Sequence, residues 1–238
     1  NISANKKIVL FIFFIIILLN SDQDLLIKVL YFSFTDFIIL TLDLSTYFTF
    51  LCIFLFINAL NMYDGSDLQL GNYILIFTCY LIFKSGFTIL YFFILPITIF
   101  LVLNFLNRTF IGNSGAYYLG FFLSYVIIKI YNLQSILYSD EIVLLMFYPV
   151  VDLIRLFFIR LINDKNPFLG DRLHIHHILL KLFSKNLYAQ FFLILLVIFP
   201  LLIYEILNIN IIYCFIFNSL IYSIILFKYY RKVTINNE

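Results

Sequence analysis

Two amides and two carboxylates, Asn58, Asn61, Asp64 and Asp67, recur at three-residue intervals where a long apolar run stops. A helix turns about 100° per residue, so Asn58, Asn61 and Asp64 share one narrow sector, and Gly65 lets the backbone leave it. An aspartate near a bilayer centre costs roughly 2.5–3.5 kcal/mol, so a polar run in this setting needs a reason. A helix end meeting lipid headgroups accounts for Asp64 and Asp67 equally well when they are taken alone. All three histidines, His174, His176 and His177, lie within four positions, directly after Asp171 and Arg172. His174 and His177 are spaced to share a helix face, and Arg172 adds a permanent cation. Such a set suits a metal, imidazole being a zinc ligand, or an anion whose oxygens take charge-assisted hydrogen bonds. A basic loop against anionic headgroups is the plainer alternative. Between the two clusters, Gly112-Asn113-Ser-Gly115 opens a helix whose free N–H groups could receive a phosphate. Asp152 and Arg155, three apart, read equally as a catalytic pair or as an internal ion pair that makes both tolerable in lipid.

The elements that must position these groups are membrane helices. Of the 238 residues, 64% are hydrophobic and only 12% charged, and the mean hydropathy is +1.06, far from the balance of a soluble domain. The 31 Phe and 18 Tyr, beside no Trp, reflect coding bias more than a stacking platform, and nothing implies a nucleic-acid partner. Cys52, Cys79 and Cys214 are isolated in apolar runs, without disulfide or zinc spacing. The hydrophobic pattern predicts an all-α polytopic membrane protein of one domain, residues 1–238. Eight spans are expected, at 5–20, 46–62, 72–84, 87–105, 116–131, 141–161, 187–206 and 210–229. Residues 25–44 are interrupted by polar and β-branched types and read as a short extracytoplasmic β-hairpin.

This arrangement puts the three polar segments, at 62–71, 105–115 and 162–186, on one face. Counting Lys and Arg by side gives twelve on that face, among them Lys6, Lys7, Arg108 and Arg160, against Lys28, Lys84 and Lys129 opposite. The excess predicts that the polar loops are cytoplasmic. Carboxylates that hold a divalent cation, facing cationic groups and exposed N–H donors, are the recurring equipment of phosphoryl transfer.

Taken together, Asn58-Ala-x-Asn-x-x-Asp-Gly-x-Asp67, Phe110-x-Gly-Asn-Ser-Gly-Ala116 and Pro167-Phe-x-x-Asp-Arg-x-His-x-His-His177 resemble the signatures of a known family. It is the polyprenyl-phosphate N-acetylhexosamine-1-phosphate transferases, the WecA and MraY group, also called glycosyl transferase family 4. The resemblance covers almost the whole chain in order and spacing, and the His-x-His-His form is similar to the WecA-like branch. It implies transfer of an N-acetylhexosamine 1-phosphate, GlcNAc-1-P first, from a UDP-sugar to undecaprenyl phosphate with release of UMP. Mg²⁺, or Mn²⁺ in its place, would sit on the pyrophosphate. The setting implied is a bacterial inner membrane, at the first membrane step of a cell-surface polysaccharide such as O-antigen, with a homodimer compatible. By the same resemblance Asp64 and Asp67 would be catalytic, and Asn58 and Asn61 would line the nucleotide pocket with them. Asp171, Arg172, His174, His176 and His177 would contact the nucleotide sugar, and Asp64 and Asn113 would be the metal positions.

Two departures stand out. The family's Gly-Asp-x-Gly-Ser is here Gly112-Asn113-Ser-Gly115-Ala116, which puts a neutral amide at the expected metal carboxylate, and Asp-Gly-x-Asp-Gly-Leu is here Asp64-Gly-Ser-Asp-Leu-Gln69. A hard cation prefers a charged oxygen, so metal affinity is expected to fall. Asn1-Ile-Ser-Ala resembles the end of the family's Asp-Asp-x-x-Asp motif, so the expectation is a chain missing its beginning, with the acidic pair just upstream and little transfer from residues 1–238 alone. Two further readings compete: a homologue that keeps the fold without the chemistry, and an ion-coupled transporter. The transporter reading predicts polar groups deep in several helices and an internal repeat; most polar residues here lie at helix ends instead.

Overall fold

The computed structural model describes residues 4–134, 136–166, 173–183 and 185–235. Among these residues, helix α1 (Ala4–Ser21) leads to a hairpin of β1 (Val29–Phe32) and β2 (Thr35–Leu40). Helices α2 (Ser45–Tyr63), α3 (Gln69–Ser85), α4 (Tyr91–Phe105) and α5 (Gly112–Gln134) follow. The chain continues through α6 (Ser139–Leu145), α7 (Phe147–Ile162), α8 (Ile175–Phe183), α9 (Asn186–Leu207) and α10 (Ile211–Ile235). Sequences apolar on every side can satisfy their backbone in lipid only within the segment, which is why these runs are helical.

Each expected span coincides with helix, but the spans are not equal. Among the described residues, five helices are long and apolar enough to cross a membrane, or six if one bent pair is a single span. The apolar part of α1, Val9–Ser21, is shorter, and α3 has only 17 residues. The chain is therefore a polytopic helical membrane protein, in which α1 and α3 are less long or less apolar than those five helices. The expected helix at 141–161 is broken: α6 and α7 meet at 73°. Pro149 causes this, because it has no N–H to give the carbonyl four residues back. That carbonyl, on Leu145, instead accepts from the Tyr73 hydroxyl at 2.7 Å. Residues 162–186, read as one polar loop, contain the amphipathic α8.

The core forms around α2, which packs on α1, α5 and α7. Ile53, Ile57 and Leu60 of α2 and Leu123 and Ile127 of α5 are buried. A Cβ at Gly120 would stand 3.2 Å from the Ile57 Cα, so glycine sets the close crossing of α2 and α5. The strands pair antiparallel, Val29 opposite Leu40, Leu30 opposite Ile39 and Tyr31 opposite Ile38.

The hairpin is pinned to the C-terminal end of α5. The Tyr131 hydroxyl accepts from the Tyr31 N–H at 2.9 Å and donates to the Val29 carbonyl at 3.0 Å. Ser33 donates through its N–H and its hydroxyl to Asp140, at 2.9 and 2.7 Å. At the same end Lys129 pairs with Asp22 at 2.8 Å, and Lys84 pairs with Glu141 at 2.8 Å and Glu205 at 3.0 Å. Two of the three cations counted on this side are thus neutralised by carboxylates. Gly112, at the other end of α5, is about 28 Å away at 1.5 Å per residue, and the polar loops gather there.

Candidate active site

The carboxylate loop begins where α2 stops. Asp64 closes the helix through its N–H to the Leu60 carbonyl at 3.1 Å, and the chain re-enters α3 through Leu68 in left-handed conformation, φ 68°. Few leucines sit there, and this one is held by Asn104 from the end of α4. The Leu68 N–H donates to Asn104 Oδ1 at 2.6 Å, while Asn104 Nδ2 donates to the Thr109 carbonyl at 2.7 Å and reaches Asp67 Oδ1 at 3.4 Å. From α9, Gln190 Nε2 donates to Ser66 Oγ at 2.6 Å, and Ser66 donates to Gln69 Oε1 at 2.9 Å. Asp64, Asp67, Asn104, Phe110 and Gly112 line a common cavity of about 260 Å³. The first two polar segments therefore meet. Burial, and then the neighbouring Asp67 charge, push the Asp64 carboxyl up to about 6.

The histidine segment is built on Asp152 of α7. Asp152 Oδ1 accepts from Arg155 Nη2 at 2.6 Å and from the Tyr222 hydroxyl at 2.9 Å. Its Oδ2 accepts from His174 Nδ1 at 2.9 Å and from the Ile175 N–H at 3.1 Å, which caps the start of α8. Arg155 also donates from Nη2 to the Leu173 carbonyl at 2.6 Å and from Nε to the Tyr222 hydroxyl at 2.6 Å. The internal ion pair is thus present, and it also anchors the histidines. His174 and His176 stack at 5.5 Å and 7°, with His177 at 4.2 Å from His176.

His176 joins the two halves. Its ring occupies the place where a Cβ on Gly65 would be, with Nε2 only 1.7 Å from that point. It is 1% exposed, and neither ring nitrogen has a hydrogen-bond partner among the described residues. Burial, followed by the charges of His177 and His174, holds its pKa down at about 3, so the ring is neutral at any physiological pH. A neutral imidazole recognises a ligand by hydrogen bonds and not by charge.

The structure brings Asp64, Asp67, His174, His176 and His177 to one end of the bundle. Asn58 spends its amide on its own helix, donating to the Phe54 carbonyl at 2.7 Å. Asn61, one turn on, keeps a buried Oδ1 without a partner among the described residues. Asn113 is exposed in the first turn of α5 and does not line the cavity that Gly112 lines. Asp171 and Arg172 lie outside the described residues. Among the described residues no group of three or more His, Cys, Asp or Glu is placed to hold a metal ion, and the His174 Nδ1 is taken by Asp152. A hard divalent cation is a different matter. Mg²⁺ is held by one or two carboxylates with water and substrate phosphate, and Asp64 and Asp67, which line one cavity, fit that demand.

Asn104, Gln190 and Tyr222 were not legible as site residues in the sequence. Each lies in a mainly apolar helix, outside any cluster of chemically active types, and only the fold reveals its partner.

The class these features define is a polytopic helical membrane protein with an acidic cavity and a histidine face at one end. The model of glycosyl transferase family 4 matches residues 1–131, more than half of the chain, and the chain belongs to that family. Membership supports a sugar-phosphate transferase in general terms. The matched region holds the carboxylate loop and the Gly112 segment and ends within α5, short of the histidine face. Comparison with curated proteins and with solved structures finds no match.

Proposed function

We propose that the protein transfers an N-acetylhexosamine 1-phosphate, GlcNAc-1-P in the first instance, from its UDP-sugar to undecaprenyl phosphate. The observation that carries this reading is the meeting of three polar segments, about 45 to 110 residues apart in sequence, at one end of a membrane bundle. A phosphate oxygen of the lipid bonds to the β-phosphorus, the bond from that phosphorus to the bridging oxygen breaks, and UMP leaves with the electron pair. Asp64 and Asp67 would hold Mg²⁺, which when bound neutralises charge on the pyrophosphate. A carboxylate oxygen not engaged with the cation would accept the proton of the attacking phosphate as general base. Asn61 and His176, with buried polar atoms that have no hydrogen-bond partner among the described residues, are suited to hydrogen-bond the nucleotide sugar, together with His174, His177, Asp171 and Arg172. Phe110, Ile111 and Gly112, where α5 begins, complete the lining of the cavity that Asp64 and Asp67 line.

This reading sets the polar end in the cytoplasmic leaflet of a bacterial inner membrane, with the hairpin outside and eight helical passes, α6 and α7 forming one. It follows the WecA-like branch in its His-x-His-His form and supplies a cell-surface polysaccharide pathway. The test is transfer of label from radiolabelled UDP-GlcNAc to undecaprenyl phosphate, with and without Mg²⁺, by the product of the complete reading frame. Label in a lipid product only when Mg²⁺ is present is expected. No transfer from any UDP-N-acetylhexosamine by folded protein would favour a homologue without the chemistry, the reading that the neutral, exposed Asn113 supports.

A further inference from the structure

We propose that Asp152 is a positioning residue for the histidine face, clamping the start of α8 onto α7 with Arg155 and Tyr222 and holding His174 in a single orientation and tautomer. That the histidine face meets the nucleotide sugar rests on the function proposed above; the clamp itself does not. Asp152 is 3% exposed, and both of its oxygens are used twice: Oδ1 by Arg155 and Tyr222, Oδ2 by His174 and the Ile175 N–H. An ionised carboxylate only accepts, so His174 donates from Nδ1 and a neutral ring keeps its lone pair on Nε2. Arg155 Nη2 adds a bond to the Leu173 carbonyl, so the backbone is gripped on both sides of His174. The grip passes onward through the parallel stack of His174 on His176, and His176 in turn fills the space over Gly65 of the carboxylate loop. Tyr222 brings in α10, more than 150 residues beyond that loop, by bonding both Asp152 and Arg155. No member of this clamp needs to touch substrate for its loss to be felt there.

Asp152→Asn is a sharp probe because either way round the amide turns an NH₂ toward two donors. Purified full chain is treated with diethyl pyrocarbonate, and carbethoxylation of His174 and His176 is read by peptide mass spectrometry. Cys214, buried, is challenged with a thiol dye to show that the bundle is intact. Wild type should be protected at both histidines; Asp152→Asn should react about tenfold faster, the scale of one lost charge-assisted hydrogen bond, with Cys214 still shielded. Tyr222→Phe, which leaves the carboxylate in place, should show a smaller rise and serves if Asp152→Asn does not fold. In the transfer assay Asp152→Asn should raise KM for the UDP-sugar about tenfold with kcat changed less than about twofold. Equal protection in wild type and both variants, or a fall in kcat at unchanged KM, overturns the proposal. A wild type with no transfer at all removes the proposed function, while the protection experiment still decides the clamp.

Discussion

Gly65→Ala tests the contact on which the assembled site depends. The Cβ would meet His176 Nε2 at 1.7 Å, Cε1 at 2.2 Å and Cδ2 at 2.6 Å, against an ordinary contact near 3.5–4.0 Å. Gly65 does not lie in left-handed backbone, so the penalty comes from the clash and not from φ. The ring cannot slide away freely, because His174 stacks on one side and His177 crowds it at 4.2 Å. Forcing a methyl into such packing costs typically about 1–3 kcal/mol, and 2 kcal/mol corresponds to a Tm lowered by roughly 4–8 °C in a chain of this size. The assay is thermal unfolding in detergent, read by reaction of buried Cys214 with a thiol dye at one fixed scan rate, since such unfolding is irreversible. A double-mutant cycle assigns the cause: in a His176→Ala background, Gly65→Ala should lower Tm by less than about 2 °C at the same scan rate. An unchanged Tm in Gly65→Ala, or the same loss in both backgrounds, would refute the packing of the histidine face on the carboxylate loop.

The low pKa of His176 makes stability pH-dependent. The folded value is depressed to about 3 from 6.5, so the unfolded chain binds the extra proton. Stability from the neutral ring is complete above about pH 6.5 and is lost as pH falls toward 3, and His176→Phe should flatten that part of the Tm profile. Asn113→Asp should leave the Mg²⁺ concentration needed for half-maximal transfer nearly unchanged, because Asn113 is exposed and does not line the cavity of Asp64 and Asp67; a lowered requirement would place the metal at the start of α5, since a charged oxygen binds a hard cation better. Single cysteines set at Ser66, Arg108 and Asp164 in a chain without its native cysteines should resist an impermeant maleimide in intact cells while one at Phe34 reacts, and labelling at any of the first three would reverse the proposed orientation.

What could be read from the sequence was whatever is local or periodic. Helices announce themselves because lipid allows an apolar run no other backbone state, and the even number of expected passes was enough to put Asp64, Gly112 and His176 at one end, where the structure has them. The bend at Met146 was legible in principle from Pro149, but a proline in a membrane helix produces a break only if something else satisfies the freed carbonyl, and here that is Tyr73, more than 70 residues earlier. The carboxylates and histidines were visible because their types cluster. Their supports are solitary: Asn104 lies 36 residues from the loop it holds, Tyr222 lies 70 from Asp152, and Gln190 lies 124 from Ser66. A buried polar group in an apolar helix must find a partner or be costly, so the sequence does say that Asn104, Gln190 and Tyr222 have partners if they are buried. It cannot say which, because that depends on the packing of α4, α9 and α10. The same limit explains Asn58 and Asn61, identical in type and one turn apart: Asn58 spends its amide on its own backbone, whereas Asn61 keeps a buried oxygen without a partner among the described residues, and only that difference makes Asn61 the stronger candidate for binding the nucleotide sugar.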